Sequence, residues 1–213
     1  MIDILNSLVV LLNFIIIPGI TYGSQLALGA LGVTFVYAVL RFANFAHGEL
    51  MSFGAMITIL FTWFFQSSNI GLGILPTALL ALPFGIIATI ILSLISDKFV
   101  FKYYRQQKSV PVVLAMVSIG VMFVVNAIIR IIIGTDTIKF SDGQKFIMKA
   151  KQFKAITGLN EGLALKSSSV ITILTTNILL TFTVLLLQKT KTGKSMRSFS
   201  DNEDLALLSG INP

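Results

Sequence analysis

Long apolar runs with almost no charge are the feature that most constrains this chain. A helix needs about 20 apolar residues to cross the hydrocarbon core of a bilayer. Four runs near this length and a fifth after them are present, and a soluble domain of 213 residues with 55% hydrophobic residues could hardly bury them. The runs therefore predict an all-α fold, a polytopic bundle of about five transmembrane helices. They lie at residues 20–40, 50–65, 72–95, 110–133 and 170–187.

The N-terminal residues form a shorter apolar run. Residues 4–17 are too few to cross a bilayer comfortably, and the run ends at Pro18-Gly19. Because proline removes a helix hydrogen bond, this pattern predicts a short helix or half-helix before the first span. Asp3 stands where a cleavable signal would carry Lys or Arg, so we expect no removable leader.

Small and polar residues mark the beginning of the first long run. Gly19 and Gly23 have the spacing that lets helix backbones approach closely in lipid. Tight helix packing is the first interpretation of this stripe, and a wall of a substrate path is the alternative. Asn13 and Gln25 are polar residues that we expect to face the bundle interior. Gln25 is therefore a candidate residue of a translocation path.

The charged residues fall between the apolar runs. The chain has 16 basic and 9 acidic residues. Between membrane spans this excess indicates attraction to anionic headgroups of the lipid bilayer, and no nucleic acid partner is predicted. The dense basic segment at 97–109 predicts a cytoplasmic loop. This orientation also places residues 189–213 in the cytoplasm and residues 134–168 outside, although that outer loop carries six lysines.

The extracytoplasmic loop at 134–168 is too polar to span the membrane. Lysines alternate with apolar side chains at 145–154. This pattern is typical of a short amphipathic helix that lies on a leaflet, here the outer one. A docking face for an extracytoplasmic partner is the alternative, and the residues alone leave both open.

A polar hexapeptide at residues 44–49 separates the first two long runs. It contains His47, the only histidine of the chain, and Glu49, and both groups are costly near a bilayer. A metal site needs three or four ligands, and a chain with one histidine and no cysteine predicts none. A catalytic triad would need a carboxylate partner for His47, and nothing local supplies one. We therefore predict no catalytic residue.

Two structural interpretations of the hexapeptide stay open. Asn44 and Gly48 both favour turns and helix ends. A helix break at membrane depth must be buried in protein or line a wet cavity. Asn44, His47 and Glu49 would then satisfy freed backbone groups along a translocation path. At the membrane surface, the same residues would form a short polar connection between two helices.

The C-terminal segment, residues 189–213, has the signals of short, carefully ended helices. Ser200 and Glu203 have the spacing of a capping box, which predicts a helix that begins after Ser200. Gly210 is placed to end that helix. Two short cytoplasmic helices with exposed apolar side chains would fit a groove on a soluble partner, and a self-contained interfacial loop is the alternative. The candidate coupling residues are Gly193, Met196, Arg197, Phe199, Asp201, Asn202, Glu203, Leu205, Ala206, Leu208 and Gly210.

Two separated motifs resemble those of a known family. The first is T-K-x-G-x-x-M-R at 190–197, followed by D-N at 201–202 and A-x-x-x-G-I-N at 206–212. It resembles the cytoplasmic coupling loop of the permease subunits of branched-chain amino acid type ABC importers, a family that also includes urea and amide importers. The second is R-F-A-N-F-A-H-G-E at 41–49, which resembles the N-terminal signature of the same family. The match covers essentially the whole chain in the right order.

The resemblance implies a membrane-spanning permease subunit for branched-chain amino acids or a related small polar solute, with urea or a short-chain amide as the alternative. Its partners would be a second homologous permease subunit, two ATPase subunits and an extracytoplasmic solute-binding protein. Because ATP would be used by the ATPase subunits, this chain would bind no cofactor and would not be an enzyme. The implied location is a bacterial-type cytoplasmic (inner) membrane.

The resemblance also bears on the extent of the chain. Permeases of this family continue for several spans after the coupling loop, whereas this sequence stops at Pro213. We therefore expect residues 1–213 to be a partial, C-terminally truncated permease domain.

Two other functional classes are alternatives. An ion-coupled transporter or channel would use His47 and Glu49 near the midplane as a proton or ion site. A non-transporting scaffold would use its loops only to recruit partners. The energy source of uptake separates the importer from the first alternative, and mutation of both motifs separates it from the second.

Overall fold

The computed structural model describes residues 2–71, 73, 75–107, 109–135, 140, 146–201 and 205–206. Five helical stretches within these ranges are long and apolar enough to cross a membrane. They are Asp3–Ala38, Ala46–Ser67, Ala78–Gln106, Pro111–Ile133 and Ser167–Lys189. The predicted all-α polytopic bundle with five spans is confirmed.

The described elements follow one another along the chain almost without strands. They are α1 (Ile2–Leu11), a π-helical turn (Leu12–Ile16), α2 (Ile17–Leu40), α3 (Ala46–Ser67), α4 (Ala78–Ser96), a second π-helical turn (Asp97–Phe101), α5 (Lys102–Gln106), α6 (Pro111–Ile133), β1 (Phe146–Met148), α7 (Ala150–Thr157), β2 (Leu165–Lys166), α8 (Ser167–Lys189) and α9 (Lys191–Asp201).

The short helix predicted at the N-terminus is present as α1, but the helix does not end at Pro18. The first candidate span runs without interruption over Asp3–Ala38. The π-helical turn Leu12–Ile16 lies directly before the proline, and the Ile17 N–H donates to the carbonyl of Leu12. One extra residue in this turn lets the chain pass the proline, which has no N–H to donate, without ending the helix.

The Gly19 and Gly23 stripe does not pack as first interpreted. A Cβ at either position would have no described atom within 4 Å. Inside the described part of the chain, this stripe is therefore not a close helix contact. Its alternative interpretation, as part of a substrate path, stays a prediction.

The chain divides into two compact units. One consists of Met1–Leu31, Leu72–Pro76 and Ser141–Leu185, and the other of Gly32–Gly71, Thr77–Phe140 and Leu186–Pro213. We call them the outer-loop unit and the coupling unit, because the first contains residues 146–168 of the 134–168 loop and the second contains α9.

Helices α3 and α4 of the coupling unit pack through two glycine and threonine pairs. A Cβ at Gly54 would overlap the Thr89 hydroxyl, and a Cβ at Gly85 would overlap the Thr58 hydroxyl. Each hydroxyl donates to the glycine carbonyl four residues earlier in its own helix, at 2.9 Å for Thr58 and 2.8 Å for Thr89. The hydroxyls are thus satisfied while the two backbones approach closely.

The core of the coupling unit lies where the 41–45 connection, α6 and the second π-helical turn meet. Phe42 of the connection and Phe101 of the π-helical turn contact each other, with ring centroids 6.0 Å apart. The core is thus built around the residues that precede and begin α3. Its buried members are Phe42, Ala46, Leu50, Phe101, Leu114, Val121 and Val125.

In the outer-loop unit, residues 161–176 run in the same direction as residues 6–24. The Asn6 Oδ1 accepts from the Glu161 N–H at 3.4 Å, and the Thr176 hydroxyl donates to the Ser24 carbonyl at 3.4 Å. Because the first and fifth of five alternating spans must be parallel, these contacts agree with the span count. They also place the beginning of α1 and the beginning of α8 at the same membrane face.

The described part of the 134–168 loop contains both a helix and a small sheet. The predicted amphipathic helix is confirmed as α7, Ala150–Thr157. Residues 146–148, which belong to the predicted amphipathic segment, form strand β1 instead. It pairs with β2 in antiparallel register, with Phe146 opposite Lys166 and Met148 opposite Leu165.

Candidate functional site

The hexapeptide at 44–49 forms the end of the α2–α3 connection and the first turn of α3. The Asn44 Oδ1 accepts from the Ala46 N–H at 3.1 Å, and the His47 N–H donates to the Asn44 carbonyl at 3.3 Å. Asn44 thus satisfies two amide groups at the beginning of the helix, which have no partner inside it. The hexapeptide therefore joins two helices, and its depth in the membrane, on which the two interpretations differ, stays a prediction.

The connection is also held by a buried hydroxyl from α6. Ser118 is fully buried, and its Oγ accepts from the Phe45 N–H at 3.0 Å. The same hydroxyl donates to the Ala115 carbonyl of α6 at 2.6 Å. A buried hydroxyl of α6 thus satisfies one amide of the irregular connection.

His47 packs against a glycine of α2. A Cβ at Gly32 would lie 2.5 Å from the His47 Nε2 and 2.8 Å from its Cε1, so only glycine leaves room for the ring. His47 and Glu49 are each half-buried, whereas Gly48 is exposed, and a Cβ there would meet no described atom within 4 Å. His47 therefore fixes the distance between α2 and the beginning of α3, and Gly48 has no packing role in the described structure.

The beginning of α9 is built by a threonine and a glycine. The Thr190 Oγ1 accepts from the Gly193 N–H at 3.0 Å, which caps the helix. Gly193 is buried against the end of α8, and a Cβ there would overlap the Leu186 carbonyl and lie 2.5 Å from the Leu187 Cα. The sharp turn from α8 into α9 therefore requires glycine at this position.

The end of α9 is fastened to the end of α2. The Arg41 Nη2 donates to the carbonyl of Ser200 and, at 3.0 Å, to the carbonyl of Asp201. The Ser200 hydroxyl donates in return to the Ala38 carbonyl at 2.5 Å. A guanidinium at the end of a helix satisfies its last carbonyls and interacts well with its dipole.

The predicted capping box at Ser200 is wrong. Ser200 lies inside α9, one residue before its end, and its hydroxyl is used on the Ala38 carbonyl. The physical reason is that α9 continues through Ser200 to Asp201, so Ser200 lacks the non-helical backbone of an N-cap, and the sequence shows only the local pattern. Glu203, the other half of the predicted box, lies outside the described residues.

The other candidate coupling residues have different exposures. Leu205 is 61% exposed and Ala206 is 3% exposed. Arg197 and Asp201 are exposed as well, while Met196 and Phe199 are half-buried. The positions that lie outside the described residues are Asn202, Glu203, Leu208 and Gly210.

Gln25 belongs to the outer-loop unit, whereas the hexapeptide belongs to the coupling unit. Gln25 lines a groove of about 660 Å³ together with Asn13.

Two other polar residues, Asn126 and Asn177, make hydrogen bonds within their own helices, to Arg130 and to the Ile173 carbonyl. Both of these hydrogen bonds stay within one helix.

Sequence reasoning missed three residues that hold the site together. Arg41 lies in the R-F-A-N-F-A-H-G-E motif but has no role predicted from sequence, and Ser118 and Gly32 are not predicted at all. A signal existed only for Arg41, because a cation directly after an apolar run marks a helix end. The partners of Ser118 and Gly32 are set by the fold.

These features define a polytopic membrane protein with a fixed helix connection and a short helix fastened to it. Within the described ranges, no group of three His, Cys, Asp or Glu side chains is placed to hold a metal. The model of the family described as branched-chain amino acid transport system, permease component, matches residues 15–213. The chain belongs to this family.

Two curated relatives agree with the family match. They are the high-affinity branched-chain amino acid transport system permease proteins LivH of Salmonella typhimurium and of Salmonella typhi. Each is 27% identical over 200 residues, which cover 91% of this chain and 60% of the relative. The chain thus spans about 60% of the length of these relatives. No solved structure matches the chain.

Proposed function

We propose that the chain is the membrane-spanning permease subunit of an ATP-driven importer for branched-chain amino acids or a related small polar solute. It would work with a second homologous permease subunit, two ATPase subunits and an extracytoplasmic solute-binding protein. The family match supports the permease class, and the names of the relatives support the solute class. ATP would act only on the ATPase subunits.

The observation that carries the coupling part of this proposal is the attachment of α9 at both of its ends. Gly193 fits its beginning closely against α8, and Arg41 holds its end against α2. A segment held in this way transmits a push to the helices that it is attached to. Movement of α9 by a partner would therefore move α2 and the α2–α3 connection.

A second link passes the movement deeper into the coupling unit. The Phe45 N–H in the same connection is bound to Ser118 of α6, and His47 fits against Gly32 of α2. Movement of α2 would thus shift both α3 and α6, because packed helices respond as rigid bodies. ATP binding to the partner would in this way bias the helices between inward-open and outward-open arrangements.

The surface that would receive the ATPase subunit lies next to α9. Leu205 is a large apolar side chain, 61% exposed, beside a helix that carries Lys191, Lys194 and Arg197. An exposed apolar side chain with a polar surround is typical of an anchor for a protein partner. The proposed orientation, with this face in the cytoplasm of a bacterial-type inner membrane, follows from the basic residues at 97–109.

The test is uptake of radiolabelled L-leucine by proteoliposomes that contain the assembled transporter and the loaded binding protein. Uptake that requires internal ATP and survives collapse of the proton gradient supports the proposal. Uptake that collapses with the proton gradient at constant ATP contradicts it and favours an ion-coupled transporter with His47 and Glu49 as its site. Uptake of labelled urea but not of leucine would assign the chain to the urea and amide importers of the family.

A further inference from the structure

The groove beside Gln25 has a wall made by an irregular stretch of helix. Its lining on the helix side contains Asn13 of the π-helical turn, Pro18 and Gln25, which follow one stripe along the helix. Asn13 and Gln25 are 12 residues apart, about 18 Å along the axis at the usual helical rise. The groove therefore extends for several turns along the helix rather than forming a dimple on the surface.

The irregular stretch leaves one carbonyl without its usual helical donor. Pro18 has no N–H, so this turn has one donor fewer than it has carbonyls. The carbonyls of Asn13 and Phe14 lie four to five residues before Pro18, where its partner would be, and both residues line the groove. Irregular helix at membrane depth lines cavities in many transporters, because a solute can use the freed carbonyl.

The opposite wall supplies a cation and an aromatic ring. Lys166 and Phe146 are paired across the β1–β2 sheet, and both line the groove. The Ala164 N–H donates to the Asn13 Oδ1 at 3.3 Å, so this wall lies against the helix at the level of the π-helical turn. The cation, the aromatic ring and the freed carbonyl are thus gathered at the same end of the groove.

The lining therefore offers three kinds of contact to one small molecule. Lys166 would bind a carboxylate, the turn before Pro18 would accept from an ammonium group, and Phe14 and Phe146 would cover an apolar side chain. The volume, about 660 Å³, falls within the range of small-molecule sites, which is about 300–1,000 Å³. All the described lining residues belong to the outer-loop unit.

We propose that this groove is a recognition site for the transported solute, and that it takes an α-amino acid with an apolar side chain. The site lies at the membrane face where α1 and α8 begin, and Gln25 marks its continuation deeper into the membrane. This inference rests on the proposed function, because it assigns the solute site of that importer. It goes beyond it by naming a cation and a helix irregularity as the groups that recognise a zwitterion.

Cysteine protection tests the groove directly, since the natural chain contains no cysteine. Thr21→Cys and Ser169→Cys place a thiol in the groove lining, and Ser168→Cys places one on the exposed neighbour outside it. The assembled transporter in proteoliposomes is treated with a membrane-impermeant thiol reagent, with and without L-leucine. At a leucine concentration ten times its dissociation constant, labelling of both groove cysteines should slow about tenfold.

The controls separate solute binding from general effects. Ser168→Cys should label at the same rate with and without leucine, and leucine methyl ester, which lacks the carboxylate, should protect neither groove cysteine. Lys166→Met should abolish protection of Ser169→Cys, whereas Lys151→Met, an exposed lysine of the same segment outside the groove, should leave it intact.

Each other outcome overturns the proposal. Groove cysteines that label but are not protected show that leucine does not bind there. Groove cysteines that never react show that the groove is closed to water. Both results leave the importer function standing if ATP-driven leucine uptake is measured in the same vesicles. Absence of ATP-driven leucine uptake would contradict the importer function. The protection result would still test the groove, because protection requires only the solute.

Discussion

The guanidinium of Arg41 donates to the main-chain carbonyl of Asp201, 3.0 Å away. The two residues are separated by 160 positions in the sequence, and each belongs to a different family motif. The bond thus joins the N-terminal signature to the proposed coupling loop inside one compact unit. Because this bond connects the two motifs, a movement of one would displace the other.

Removing the guanidinium should loosen the end of α9. We expect Arg41→Gln to raise the exchange rate of the α9 amides about tenfold, because hydrogen bonds to a charged group contribute about 1.5–3 kcal/mol. Hydrogen–deuterium exchange of the purified protein measures this. Arg130→Gln, at a cation bonded within its own helix, should leave α9 exchange unchanged, and an equal effect of both variants would contradict the assignment.

A methyl group at Gly32 should collide with His47. We expect Gly32→Ala to destabilise the protein by about 1–3 kcal/mol, since overpacking forces side chains out of their preferred positions. His47→Ala in the same chain should restore most of the loss, because it removes the ring that the new Cβ meets. Thermal unfolding in detergent measures both variants.

The matched control for this pair is Gly19→Ala. A Cβ at position 19 would have no described atom within 4 Å, so this change should be neutral or slightly stabilising in a helix. A Gly32→Ala loss that His47→Ala fails to rescue would show that His47 is not the residue that sets the spacing.

A methyl group at Gly193 should push α9 away from α8. We expect Gly193→Ala to reduce ATP-driven uptake about tenfold or more while the protein still inserts in the membrane, because the new Cβ overlaps the Leu186 carbonyl. Uptake normalised to the amount of inserted protein measures this. Gly120→Ala, where a Cβ meets no described atom within 4 Å, should keep normal uptake.

Loss of the Ser118 hydroxyl should leave the Phe45 N–H without its acceptor. We expect Ser118→Ala to cost about 1 kcal/mol of stability, the usual net contribution of one intramolecular hydrogen bond. Ser52→Ala removes an exposed hydroxyl that bonds only within the first turns of its own helix and should cost far less. Equal melting temperatures for the two variants would remove Ser118 from the site.

The sequence predicts those parts of the fold that follow from local patterns. Apolar runs of the right length predicted the five spans, and alternating lysines and apolar residues predicted α7. The family motifs marked the hexapeptide and α9 as important. Each of these signals is contained within about 25 residues, which is the reach of periodicity and capping arguments.

The remaining features depend on contacts between distant segments. Ser200 has the local pattern of a helix cap, but the Ala38 carbonyl takes its hydroxyl and α9 continues. Pro18 has the local pattern of a helix end, but the π-helical turn before it keeps the helix going. No pattern within one segment indicates that Arg41 meets Asp201 or that Gly32 makes room for His47.

The most direct test of the importer account is co-purification of the chain with the candidate ATPase subunit. Leu205→Asp places a charge on the proposed docking surface, and Ile156→Asp places one on an equally apolar residue of α7, which is 79% exposed. We expect wild type and Ile156→Asp to retain the ATPase subunit. The amount that co-purifies with Leu205→Asp should fall about tenfold or more, as for the loss of a buried apolar anchor. Retention of the ATPase subunit by all three at the same level would contradict the coupling role of this segment.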